Sequence, residues 1–279
     1  MVYRIAGLNV YIEGSNIFSN MEPFRLDREE EAAPDMKVTF GNVERPSGAE
    51  YITGLSNDAG EVSLYLLEDY YLEIVLGGRS CTARCSRDFS RILTNANPDD
   101  EGFNGLVNSV VRIAFSQRIL FFKGCLMHSS TVVLEGKGYM FLGKSGTGKS
   151  THSRLWIKEF GAELLNDDNP VARMEEDGSF RVYGTPWSGK TPCYRNASFP
   201  LEALVRLEQG ETNNFKRLYK VKAWAEIFPS CSLICQDESL YLHFVETANA
   251  MALGPKVGHL VCRPDSLAAH ICRRGISGK

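Results

Sequence analysis

No run of apolar residues in this chain comes near the roughly eighteen needed to cross a bilayer as a helix. Neither sign of charge prevails. With 31 Lys and Arg against 34 Asp and Glu, the formal charge is -3, which gives no global field to draw the chain to nucleic acid or to anionic membranes. An argument for a charged partner must therefore be local. A signal-peptide core is also missing: Met1-Val2-Tyr3-Arg4-Ile5 opens a strand-like alternation instead, and the expectation is a cytoplasmic protein with no membrane or nucleic-acid partner. No internal repeat or low-complexity tract interrupts the 279 residues, a length that suits one large or two small domains.

The eight cysteines do not form a metal-binding pattern. Cys81/Cys85 and Cys231/Cys235 each have C-x-x-x-C spacing, but structural zinc sites gather four ligands closely. Here the pairs are far apart in sequence and neither has a histidine nearby. Zinc stays as the alternative to buried or incidental thiols, which a reducing compartment would leave unpaired.

What the sequence does contain is Gly143-Lys144-Ser145-Gly146-Thr147-Gly148-Lys149-Ser150, a fit to G-x-x-x-x-G-K-[ST]. Gly138 to Leu142 before it predicts a buried strand, and Thr151 to Phe160 after it a helix with an apolar face. Strand, glycine turn, helix is the context in which backbone N–H groups close around phosphate oxygens and the helix N-terminus adds positive potential. In that arrangement Lys149 reaches the terminal phosphates and Ser150 can hold Mg²⁺. The alternative is a plain glycine turn. The expected nucleotide-binding set is Gly143, Lys144, Ser145, Gly146, Thr147, Gly148, Lys149, Ser150 and Thr151, with ATP and Mg²⁺ as ligands.

Two carboxylates follow at a telling place. The short strand Ala162 to Leu165 ends in Asn166-Asp167-Asp168, after a helix and turn long enough to return the chain to the sheet. Both side chains are then expected at the phosphate-bearing edge, where one can bind a metal and the other accept the proton of an attacking hydroxyl. A turn is the alternative for Asp167-Asp168-Asn169-Pro170.

Around this centre, residues 1–104 are expected to be a β-rich part, with strands over Tyr3–Ile12, Val62–Leu67 and Tyr70–Leu76. Asn95 to Asp100 is a candidate hinge. Residues 105–279 are expected to form an α/β nucleotide-binding domain with a mixed sheet. It would open with a helix over Leu106–Phe122 and a strand over Leu126–Leu134 that contains His128. The acidic run Asp27 to Glu31 is assigned to a solvated loop or helix face. Tyr183 to Thr191 is a candidate loop over phosphate or substrate, with Lys190 or Arg195 stabilising transferred charge; the alternative is an exposed turn with Trp187 packed in the core. Lys216, Arg217, Lys220 and Lys222 are taken as a solvated helix face rather than a dock for an acidic partner.

With His128 before the glycine loop, Gly143 to Ser150, and Asp167-Asp168 after it, the chain resembles the HPr kinase/phosphorylase and phosphoenolpyruvate carboxykinase superfamily, especially HPr kinase-like proteins of bacteria. The resemblance covers about residues 125 to 175 firmly and the rest of the C-terminal half loosely. It implies that Asp167 is the general base assisted by His128, that Lys149 acts on the phosphates, and that Asp168 with Ser150 holds Mg²⁺. The first hundred residues are unlike the N-terminal domain of HPr kinases, and their phosphorylase segment has no counterpart here, which argues against HPr as substrate. Carboxykinase activity is not expected from a chain this short. The function implied is an ATP- and Mg²⁺-dependent kinase acting on a hydroxyl of a protein serine or a small molecule, with homo-oligomerisation left open. The alternative is a non-catalytic, nucleotide-dependent regulatory or peptide-modification accessory protein.

Overall fold

The computed structural model describes residues 1–14, 18–26, 33–57, 60–189 and 191–278. The acidic run Asp27 to Glu31 and Lys190 lie outside the described residues. The chain divides into two compact units, residues 1–121 with 233–241, and residues 122–232 with 242–278.

In the first unit, β1 (Val2–Ile5) and β2 (Leu8–Ile12) form a hairpin. The single strand expected over Tyr3–Ile12 is therefore broken. Ala6 and Gly7 both have positive φ, 48° and 86°, which is how a two-residue turn matches the twist of its flanking strands. There follow β3 (Met36–Phe40), β4 (Glu50–Asn57), β5 (Gly60–Leu66), β6 (Tyr70–Leu76), β7 (Arg79–Cys85) and β8 (Arg91–Thr94). Together they make an eight-stranded sheet in the order β1-β2-β3-β8-β7-β6-β5-β4. Helix α1 (Asn104–Arg118) buries Leu106, Val107, Val110, Val111 and Ala114 and packs on β3, β6 and β7. Because that apolar stripe belongs to this sheet, the division falls after Phe121 and not at residue 105.

The second unit is a mixed α/β structure. It consists of β9 (Gly124–Leu126), β10 (Ser129–Leu134), β11 (Lys137–Leu142), α2 (Lys149–Phe160), β12 (Glu163–Asn166), β13 (Val171–Met174), β14 (Phe180–Tyr183), β15 (Ser198–Gln209), β16 (Asn214–Leu218), α3 (Val221–Ile227), most of α4 (Glu238–Leu253), β17 (Lys256–Cys262) and α5 (Ser266–Ser277). The strand expected over Leu126–Leu134 is two strands. Between them Met127 N–H donates to Pro170 O at 2.9 Å, in step with the β9–β13 pairing, and His128 N–H to Ser230 O at 2.7 Å, before β10 takes β11 and β12 as partners.

Strand order is β12-β10-β11-β15-β14-β13-β9, with β17 also beside β15 and β16 beyond it. β11, β15 and β17 run parallel, while β10 is antiparallel to β11 and β12 antiparallel to β10. These directions decide where the reactive side chains meet. The end of β11, the end of β15, the start of β10 and the end of β12 all arrive at one edge of the sheet, as the pairings Ser129–Leu142, Leu142–Arg206 and Thr131–Asn166 record. Beneath that edge, Val132, Phe141, Trp156, Ala203, Val205 and Leu260 form the core that holds α2 and α5 on the sheet.

Candidate functional site

The chain leaves β11 at Leu142 and enters α2 at Lys149 through the glycine loop. Gly146 has φ +80° and Gly148, the residue capping α2, has φ +102°. Side chains strain a backbone in that region, so glycine is required at both turns.

Lys149 is only 8 % exposed. Its Nζ donates to Gly143 O at 2.9 Å, to Lys144 O at 3.2 Å and to His128 Nε2 at 2.9 Å. Burial lowers the pKa of the ammonium; the charges of Asp168 and Asp167 oppose that shift, and Arg206 adds to it. Both carboxylates therefore act electrostatically on the loop lysine.

On its other side, His128 Nδ1 lies 2.9 Å from Asp168 Oδ1. An ammonium can only donate and a carboxylate can only accept, which places the ring proton on Nδ1 and the lone pair on Nε2. Lys149, His128 and Asp168 thus form one directed chain. Of the two carboxylates, it is Asp168 that the imidazole is hydrogen-bonded to.

Asp167 has different partners. Its Oδ1 accepts from Ser130 Oγ at 2.7 Å, and Ser130 Oγ lies 2.6 Å from Ser153 Oγ on α2. Asp167 is 7 % exposed. The Asp167–Asp168 turn is shaped by Asn166, whose Oδ1 accepts from Asp168 N at 2.9 Å and Asn169 N at 2.8 Å. Its amide nitrogen donates to Trp187 O at 3.1 Å and to Thr185 O at 3.3 Å. Asn169 Nδ2 donates to Asp168 Oδ2 at 2.5 Å.

Ser150 and Thr151 stand in the first turn of α2, half-buried. Thr151 Oγ1 accepts from Arg154 at 3.3 Å. Among the described residues no hydrogen bond joins Ser150 to Asp168, and no cluster of three or more His, Cys, Asp or Glu side chains is placed to hold a metal. Each oxygen of Asp168 has one partner, His128 on Oδ1 and Asn169 on Oδ2, which leaves a further lone pair on each. All eight cysteines are free thiols.

Two cavities flank the loop. The larger, about 850 Å³, is bounded by His128, Gly143 to Thr147, Arg206, Glu226 and His259. The smaller, about 390 Å³, lies on the α2 side against Thr151, Leu155, Leu207, Cys262, Arg263 and Pro264. Gln209 borders both and donates to Gly146 O at 3.1 Å. Across the larger cavity, His259 sits between Glu226 Oε1 at 3.0 Å and Glu208 Oε2 at 2.9 Å, with Arg206 paired to Glu226.

Other expected residues fall elsewhere. Thr185 and Trp187 are buried, and Thr185 Oγ1 donates to Asn169 O at 2.7 Å, so the start of the candidate loop is anchored to the aspartate turn. A Cβ at Gly189 would come 3.1 Å from Asp167 O and 3.4 Å from Asp168 Cβ, which makes this glycine the close neighbour of the carboxylates. Arg195 is occupied with β12, bonding Leu164 O at 2.7 Å and Glu163 at 2.9 Å. The basic cluster is not one helix face: Lys216 and Arg217 lie in β16, Lys220 precedes α3 and Lys222 lies within it.

Sequence reasoning did not single out Ser130, Ser153, Asn166, Arg206, Gln209 or His259. For Ser129-Ser130-Thr131 there was a signal, three hydroxyls in a row at the start of an otherwise apolar strand, all of them fully buried. Buried polar groups need partners. Arg206 inside Ala203-Leu204-Val205-Arg206-Leu207 is a second signal of the same kind.

No protein family and no curated protein matches this chain. Among solved structures it is similar to the Hpr(Ser) kinase/phosphatase from Coxiella burnetii, with 12 % identity, 53 % of this chain and 94 % of that chain covered, and a TM-score of 0.32. The likeness is loose, and the site rests on its own geometry.

Proposed function

We propose that the second unit binds a nucleoside triphosphate with Mg²⁺ and transfers its terminal phosphoryl group to a hydroxyl, either of a protein serine or of a small molecule. The observation that carries this reading is the convergence of Lys149, His128 and Asp168, distant in sequence, in successive 2.9 Å contacts at the mouth of the glycine loop.

The residues present fit such a ligand. A loop with positive φ at Gly146 and Gly148 leads into a helix N-terminus with a buried lysine, a setting that favours phosphate. The phosphates would lie along Gly143 to Ser150. The smaller cavity, bordered by Thr151, Leu155, Leu207 and Arg263, would be the place for the nucleoside. Ser150 and Asp168 supply the hard oxygen donors that Mg²⁺ prefers. When bound, that ion would neutralise charge on the phosphates.

The roles of the side chains follow from their donors and acceptors. Lys149 must give up at least one of its three acceptors, Gly143 O, Lys144 O and His128 Nε2, to bond phosphate, and release of His128 would uncover the Nε2 lone pair. Asp167 is the base in this reading, taking the proton of the incoming hydroxyl through the oxygen that Ser130 does not hold. His128, fixed by Asp168 through Nδ1, assists at the same edge. The larger cavity, which His128 borders, is open space at that edge for an acceptor.

The test is incubation of the purified protein with γ-labelled ATP and Mg²⁺, first alone and then with a bacterial lysate. Label on a protein or metabolite that depends on Lys149 and Asp167 is the expected result. Tight Mg²⁺-ATP binding with neither hydrolysis nor transfer would replace the kinase reading with that of a nucleotide-dependent regulator.

A further inference from the structure

Ser130 and Ser153 belong to neither the glycine loop nor the acidic pair, yet they link the two. Ser130 is 0 % and Ser153 1 % exposed, so both hydroxyls are out of bulk solvent and need partners inside the protein. Ser153 lies one turn beyond Lys149 and Ser150 on α2, and Ser130 lies in β10 two residues after His128. Their oxygens are 2.6 Å apart, and Ser130 Oγ is 2.7 Å from Asp167 Oδ1.

The direction of this chain is fixed by proton counting. An ionised carboxylate only accepts, so the single hydroxyl proton of Ser130 must go to Asp167. Ser130 then has no proton left for Ser153, and Ser153 must donate to Ser130. The order is Ser153 to Ser130 to Asp167, and it leaves Asp167 Oδ2 as the oxygen directed to chemistry. A hydrogen bond to an ionised group is stronger than one between neutral groups. Being buried, it holds the carboxylate in one rotamer relative to the helix that carries Lys149.

We propose that Ser130 is a positioning residue for Asp167, and that the Ser153–Ser130 hydroxyl chain sets the placement of the carboxylate against the phosphate-binding helix. This rests on the assignment of Asp167 as base. Ser130 contacts no ligand itself. Its contribution is to turnover and not to nucleotide affinity, and it depends on the hydroxyl and not on side-chain volume.

Threonine and valine separate these, being nearly equal in size and differing by the hydroxyl. With water as the acceptor, hydrolysis of Mg²⁺-ATP should persist in Ser130→Thr and fall by about 10- to 100-fold in Ser130→Val, as expected for a lost charge-assisted hydrogen bond of about 1.5–3 kcal/mol. Calorimetry should give both variants the wild-type affinity for Mg²⁺-ATP. Ser153→Ala, which leaves Ser130 free to donate to Asp167, should lose less than Ser130→Ala; this smaller pair answers the same question if the larger side chains do not fit. Equal turnover in the Thr and Val variants, or in the two Ala variants, beside an active wild type would overturn the positioning role alone. A wild type that binds Mg²⁺-ATP without any turnover would overturn the kinase reading, and the positioning role with it.

Discussion

His128 Nε2 lies 2.9 Å from Lys149 Nζ, so the loop lysine occupies the lone pair of the imidazole that Asp168 holds from the other side. Any movement of the lysine away from His128 would free the Nε2 lone pair.

Lys149→Ala should leave the second unit folded and weaken Mg²⁺-ATP binding by about 10- to 100-fold, the scale of hydrogen bonds to a charged group at about 1.5–3 kcal/mol. Titration calorimetry checks the affinity and circular dichroism the fold. Unchanged affinity in a folded variant would mean that Gly143 to Ser150 does not hold nucleotide.

The paired carboxylates should separate in function. Asp167→Asn keeps the shape but cannot take a proton, so nucleotide binding should persist while phosphotransfer falls by about 10²–10⁴. If Asp168 holds the metal as proposed, Asp168→Ala should weaken Mg²⁺-ATP more than metal-free ATP. Full transfer activity in Asp167→Asn would move the role of base to the His128–Asp168 pair.

Asn166 should prove structural in origin and functional in effect. It is fully buried, and its side chain holds the amides of Asp168 and Asn169 together with the carbonyls of Thr185 and Trp187. Asn166→Ala should cost at least about 2 kcal/mol in urea unfolding, since unsatisfied buried groups cost about 1–3 kcal/mol each. Turnover should fall with it. A variant as stable and active as wild type would show that the aspartate turn does not need this cap.

His152 gives an acid-sensitive stability. It is 2 % exposed, accepts from Trp156 Nε1 at 3.1 Å, and burial pushes its pKa from 6.5 down to about 4. Between those values the unfolded chain binds a proton that the folded chain does not. The native state therefore keeps its full stability above about pH 6.5 and loses up to about 3 kcal/mol as the pH falls towards 4. His152→Gln, which can still accept from Trp156, should flatten this dependence in urea unfolding at pH 7 and pH 4.5. An equal acid loss in the variant would assign the sensitivity to another group.

Local signals in the sequence were legible where chain geometry alone decides structure. Gly143 to Ser150 marked the turn between β11 and α2, and Tyr70 to Leu76 marked β6 to the residue. The hairpin at Ala6-Gly7 was hidden because alanine seldom takes positive φ, and the break at Met127-His128 because its amides bond to Pro170 and Ser230, far along the chain. The meeting of His128 with Asp168 had the same cause: spacing could bring both carboxylates to the sheet edge, but which one faces the imidazole is decided by the Asn166 turn. The Arg206 and His259 wall comes from later strands whose register no local pattern specifies.

The direction of β15 has a consequence for how the protein is made. β10 and β11 can pair as a hairpin as soon as both are synthesised, but the other flank of β11 waits for β15, whose Arg206 pairs with Leu142 across a long connection. Parallel pairing of this kind carries a loop-closure cost before any contact rewards it. A nascent chain that stops short of Gln209 would therefore display the glycine loop on a strand with one open edge, so the edge where Lys149, His128 and Asp168 meet should be completed late in folding, after β15 docks.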